Sequence, residues 1–158
     1  MYLYLVQHGE AEVKEGETER SLTDMGIANL QRMTDFLDHH PVPPLDAIIH
    51  SGKLRARQTA DLLSPHIVTS RGVLAADDLE PNSDPKIWAR KLRGIPDDLM
   101  LVGHLPYLAK LTSLLVTGDP KATAVQFHNG GIVCLDRDID MIWRLDWIVI
   151  PEILRRSR

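Results

Sequence analysis

His8, Arg55 and His104 are the residues whose types and placement could do chemistry together. His8 follows the apolar run Tyr2 to Gln7 and precedes Gly9. A neutral imidazole is a good nucleophile near neutral pH and can accept a phosphoryl group. The glycine beside it lets backbone approach a bound anion closely. Arg55 falls in the first turn of a predicted helix, where side chains tilt back toward the helix start. Its planar fork matches phosphate oxygens, and the helix N-terminus adds partial positive charge. His104 ends the run Met100-Leu101-Val102-Gly103, and a protonated histidine there could steady a phosphoryl oxygen. Alone, each of the three reads more readily as structural: a strand-end histidine, a solvated helix arginine, a helix cap. Together, two histidines and an arginine at the ends of apolar runs point to an anion site.

The elements that must position them form an α/β pattern. Short apolar runs alternate with helical periods, which predicts a largely parallel sheet. The first strand is Tyr2 to Gln7, nearly all apolar, as expected for a strand covered on both faces. A helix is predicted from Asp24 to His39, capped by Thr23, with Ile27, Leu30, Met33 and Leu37 on one face. Pro41-Val42-Pro43-Pro44 stops it. A strand over Asp46 to His50 leads into a helix over Lys53 to Leu63, with Thr59 and Ala60 facing the core. A short strand is allowed near Ile67 to Thr69, and a helix over Asp84 to Arg93. The strand Met100 to Val102 and a helix opening at Pro106 follow. Ile132 to Leu135 and Ile142 to Trp147 read as a closing pair of strands. In open α/β sheets ligands bind beyond the carboxyl ends of the strands, which is where His8, His50-Ser51-Gly52 with Arg55 just after, and His104 stand.

The 158 residues suit one domain spanning 1–158. The single cysteine, Cys134, can form neither an intrachain disulfide nor a zinc site alone, and it sits in an apolar run. That composition is read as cytoplasmic. A formal net charge of −4 gives no overall basic footprint for nucleic acid, and no stretch has the length of a membrane span. The basic end Arg155-Arg156-Ser157-Arg158 is expected to be a solvated tail.

The strings themselves resemble the histidine phosphatase superfamily, and within it the small SixA-type phosphohistidine phosphatases. Gln7-His8-Gly9-Glu10-Ala11 is similar to the Arg-His-Gly signature of that family. Ser51 to Thr59 is similar to its second element, and Val102-Gly103-His104-Leu105-Pro106 to its third. Ser21-Leu22-Thr23 followed by Gly26 resembles the Leu-Thr-x-x-Gly element. Leu79-Glu80-Pro81 before Asp84-Pro85, Trp143-Arg144-Leu145 and Pro151-Glu152 look like the SixA branch. The resemblance implies a phosphoglycerate mutase-like fold, a three-layer α/β/α sandwich with a mostly parallel central sheet. It implies a phosphohistidine protein phosphatase working in two steps. His8 attacks phosphorus and becomes phosphohistidine, then water releases phosphate. Arg20, Arg55 and His104 would hold the equatorial oxygens, with no cofactor and no metal. The expected partner is phosphate or a phosphorylated substrate, including a histidine-phosphorylated carrier protein.

One position departs from the family. The signature arginine is Gln7, which can donate hydrogen bonds to phosphate but carries no charge. Losing a charge-assisted bond costs about 1.5–3 kcal/mol, roughly one to two orders of magnitude in rate. The sequence therefore also allows a weakened enzyme or a non-catalytic phosphate-binding regulatory module, besides a phosphatase for small phosphomonoesters. Ester substrates need a proton donor, and Glu80 and Asp84 are the candidates by position, each more readily a loop or cap carboxylate. Glu10 is expected to orient its loop. The acidic run from Glu12 to Glu19 would disfavour small anionic substrates if it lay over the pocket.

Overall fold

Alternation along β1 (Tyr2–Gln7) sets the architecture, because it buries side chains in two directions. Leu3 and Leu5 pack on one face with Trp88 and Leu92 of α3 (Pro85–Arg93) and with Leu108 and Leu111 of α4 (Tyr107–Thr117). Tyr4 and Val6 pack on the other face with Leu30 and Met33 of α1 (Asp24–His39) and with Ala56 and Leu63 of α2 (Leu54–Leu63). The result is a three-layer α/β/α sandwich. The computed structural model describes residues 1–13 and 19–154. Glu15 and Glu17 of the acidic run, and the tail Arg155 to Arg158, lie outside the described residues.

The sheet also contains β2 (Ala47–His50), β3 (Val73–Ala75), β4 (Leu99–Gly103), β5 (Ile132–Arg137) and β6 (Trp143–Val149). Its order is β3-β2-β4-β1-β5-β6. The first four strands are mutually parallel, while β5 runs antiparallel to both β1 and β6. The register places Gln7 beside Gly103 and His50 beside Val102. The carboxyl ends of β1, β2 and β4 therefore meet, and the residues that follow each of them share one edge.

Two expectations need correction. Ile67 to Thr69 is not a strand: only Thr69 bridges to Leu45, and the edge strand is β3. A 3-10 turn over Ser64–His66 uses the residues after α2, so the chain pairs with β2 several residues later. Pro106 stands at the N-cap of α4 rather than inside its first turn.

Close approach between the loop after β1 and α1 explains one glycine. Thr23 caps α1 by accepting a hydrogen bond from the backbone N–H of Gly26 at 2.9 Å. A side chain at Gly26 would run into the Glu10 carbonyl oxygen. The Thr23-x-x-Gly26 spacing thus seats the start of α1 against the segment that carries His8.

Candidate active site

Burial and hydrogen bonding fix His8 in one tautomer. Its Nδ1–H donates to the Gly9 carbonyl at 2.7 Å, since a carbonyl can only accept. The lone pair is then on Nε2, which accepts from the Arg55 Nε–H at 3.3 Å. Every neighbouring backbone group is also pinned. The His8 N–H donates to the Gly103 carbonyl at 3.0 Å, and Asn129 Nδ2 donates to the His8 carbonyl at 3.1 Å. The Gly9 N–H donates to Thr59 Oγ1 at 3.0 Å.

Thr59 in turn donates to the Arg55 carbonyl at 2.8 Å. One buried hydroxyl therefore ties the loop after β1 to the first turn of α2, where Arg55 sits. Glu10 turns to α1 instead, its carboxylate accepting from the Thr23 hydroxyl at 3.1 Å.

The His104 ring lies 5.1 Å from the His8 ring, centre to centre, tilted by 51°. Its Nε2 is hydrogen-bonded to Ser51 Oγ at 2.6 Å. Its Nδ1 is buried and has no hydrogen-bond partner among the described residues. Four of the five guanidinium N–H donors of Arg55 likewise find no acceptor among the described residues. Arg20 is half-buried, with its Nε donating to the Glu12 carbonyl at 2.6 Å.

The electrostatics have one sign. Burial pushes His8 down to about 4, opposed by its bond to Gly9 and reinforced by the charges of Arg55 and Arg20. Burial pushes His104 down to about 3, helped by Arg55, His8, Lys53 and Arg20. Burial and Arg20 also lower Arg55. Among the described residues no carboxylate is a cause of the shift at any of the three. Arg55 is buried, and among the described residues no carboxylate pairs with it. A buried guanidinium without a counter-ion is costly, and an anion bound beside it removes that cost. Burial and the neighbouring cations favour the neutral His104 ring in the protein alone, and a bound phosphoryl dianion would act in the opposite direction.

Other predicted residues sit differently. Gln7 is buried at the end of β1, and its Oε1 has no partner among the described residues. Its backbone carbonyl accepts from the Gly130 N–H at 2.8 Å. The Glu80 carboxylate is held within its own turn, accepting from Ser83 Oγ at 2.9 Å. Hydrogen bonds from that turn hold it below the usual carboxylate range, the wrong direction for a proton donor. Asp84 caps α3 by accepting from the Lys86 N–H at 2.9 Å. Cys134 is buried, and burial pushes its thiol up to about 12. Among the described residues no group of three or more His, Cys, Asp or Glu side chains is placed to hold a metal ion. No helix among them is long and apolar enough to cross a membrane.

Three residues around the site carry no role in the sequence reading. Thr59 was expected only in the core, although its place one turn after Arg55 on the same helix face is a legible signal. Ser51 lay inside a matched string without an assigned partner. Asn129 is marked only by the turn residues Gly130-Gly131 after it.

Residues 3–74 match the model of the histidine phosphatase superfamily (branch 1). No curated protein matches the sequence. The fold is similar to that of the protein histidine phosphatase SixA complexed with tungstate, at 21% identity and a TM-score of 0.84, covering 98% of this chain and 100% of that one. It is similar to an alpha-ribazole phosphatase from Shigella flexneri at 18% identity and a TM-score of 0.73, covering 92% and 95%. It is also similar to a phosphoserine phosphatase mutant from Entamoeba histolytica in complex with phosphoserine, at 15% identity and a TM-score of 0.69, covering 93% and 95%. At these identities the likeness is one of fold.

Proposed function

On the premise that the chain belongs to the histidine phosphatase superfamily, we propose that it is a phosphohistidine phosphatase working through a phosphorylated His8. One observation carries the reading: a buried Arg55, with no carboxylate partner among the described residues, faces the unprotonated Nε2 of His8 at 3.3 Å. That pairing sets a nucleophile and an oxyanion clamp on the same small volume.

In the proposed reaction, His8 Nε2 attacks phosphorus in line, and the bond from phosphorus to the leaving group breaks. The Gly9 carbonyl, accepting from Nδ1–H, stabilises the positive charge that develops on the ring. Arg55, Arg20 and the Nδ1 side of His104 take the equatorial oxygens, where transition-state charge spreads. His104 fits this role by taking up a proton on Nδ1 as the dianion enters. Ser51 holds the ring from its other nitrogen. Water then attacks the phosphorus of phospho-His8 and releases phosphate.

The choice of phosphohistidine over phosphate esters rests on the leaving group. A protonated imidazole leaves readily, whereas an alkoxide needs a proton donor. Glu80 is depressed rather than raised, and Asp84 is used as a helix cap. Incubating wild type and His8→Ala with a phosphohistidine protein and with an aryl phosphate tests the reading. Turnover of the first substrate only, lost in the variant, is the expected result. Equal turnover of both would favour a phosphomonoesterase.

Gln7 favours a second reading, a weakened enzyme or a phosphate-binding regulatory module, because a neutral amide stands where the family's arginine does. Gln7→Arg is expected to raise turnover by about one to two orders of magnitude, the value of a charge-assisted bond. Phosphate binding without turnover in either form would favour the regulatory module.

A further inference from the structure

We propose that the groove between α3 and α4 is a docking site for an acidic, amphipathic segment of a partner protein. The groove has a volume of about 570 Å³, and cationic and apolar side chains line it together. Lys86, Arg90 and Arg93 stand four and seven residues apart on α3, so they form one stripe. All three are exposed, and none lies within ion-pair distance of a carboxylate among the described residues. Leu115, Met141 and Trp143 supply apolar wall, and among the described residues no carboxylate lines the groove.

The hairpin between β5 and β6 adds an independent feature. Met141 is held at a φ of 65°, a conformation disfavoured for a residue with a side chain, and it lines the groove. The same hairpin exposes Ile139 at 96% and Ile142 at 49%. Asp138 of this hairpin is turned away to Arg144, at 2.5 Å. A strained, exposed Met141 and three cations without a carboxylate partner among the described residues thus line one groove of a chain whose net charge is −4.

Charge complementarity and shape select the occupant. Nucleic acid would satisfy the cations but leave the exposed Met141 without an apolar partner. A membrane surface suits a convex or flat face, and this one is concave. A helix with acidic residues at i, i+4 and i+7 matches the stripe, which spans about 10 Å at 1.5 Å per residue. Apolar side chains beside those acids would fill the floor. The residues lining this groove do not include His8, Arg55 or His104, so the inference does not depend on the phosphatase reading.

The test is a titration of the full chain with a synthetic helical peptide bearing Glu at i, i+4 and i+7 and Leu on the same face. Tryptophan fluorescence and calorimetry report binding. Affinity is expected to fall about tenfold or more between roughly 0.05 and 0.3 M salt, as the screening length drops below ~10 Å. The double variant R90E/R93E is expected to weaken binding about tenfold or more, and Met141→Asp to do the same by removing an apolar anchor. Thermal melts show whether each variant folds, and Met141→Asp serves independently if the double variant does not. No binding of the peptide, or equal binding by wild type and both folded variants, overturns the proposal. Binding to vesicles of anionic lipid in place of the peptide, or saturable self-association through this groove, overturns it as well.

Discussion

The Nε–H of Arg55 meets the Nε2 lone pair of His8 at 3.3 Å, while the opposite nitrogen of the same ring is committed to the Gly9 carbonyl. A guanidinium is always charged and cannot give up its proton, so it disfavours a second proton on His8. Burial acts in the same direction, and together they push His8 down to about 4. His8 therefore keeps its Nε2 lone pair free well below neutral pH, as the proposed nucleophile must.

The acid limb of the rate profile follows from that. Protonating Nε2 removes the attacking lone pair, so kcat/KM should hold as pH falls through 6.5 and drop only near 4. A stopped assay with a phosphohistidine protein between pH 4 and 8, corrected for acid hydrolysis of the substrate, checks this. An unperturbed histidine would instead lose activity near 6.5.

Stability should follow the same groups with a definite sign. His8 and His104 have folded pKa values near 4 and 3, below the ordinary 6.5. Between those limits the unfolded chain binds more protons than the folded one, so stability falls as pH falls. Each histidine contributes a slope of up to about 1.4 kcal/mol per pH unit in that window. The contribution is intact above 6.5 and gone below the folded values. Denaturant midpoints measured from pH 7 to pH 4 should therefore decline less steeply in His104→Gln than in wild type.

Thr59 joins the loop that carries His8 to the turn that carries Arg55. Thr59→Val keeps the shape but leaves the Gly9 N–H buried without its acceptor, at a cost of about 1–3 kcal/mol. The expected outcome is a lower melting temperature and a fall in kcat larger than the rise in KM, because the His8 loop loses its tie to the Arg55 turn. Thr59→Ser keeps the hydroxyl and should restore kcat. Steady-state kinetics on the two variants decides between a positioning role and mere packing.

Much of this was legible because it is local. β1, α1 and the cap at Thr23 follow from alternation, helical period and side-chain chemistry, and the structure has them over the same residues. The ends of β1, β2 and β4 could be aligned because parallel strands share a direction, which set His8, Ser51 and His104 on one edge. What stayed hidden depends on non-local fit. Trp143 and Trp147 share parity, so simple alternation puts them on one face. An irregularity where β5 passes from Cys134 to Leu135 separates them, sending Trp143 toward α3 and α4 and Trp147 toward Tyr4. The neutral state of His104 was equally hidden, since it depends on burial and on the summed charges of Arg55, Lys53 and Arg20. Asn129 reaches His8 across 121 positions of chain, which no local spacing encodes.

The central claim is that phosphorus becomes bonded to His8. Rapid quenching in base during turnover of a phosphohistidine protein, followed by peptide mass spectrometry, measures it directly. The expected result is an acid-labile, base-stable phosphoryl group on the peptide containing His8, absent in His8→Ala. Turnover at the wild-type rate by His8→Ala, or a phosphoryl group trapped on another residue, would contradict the account.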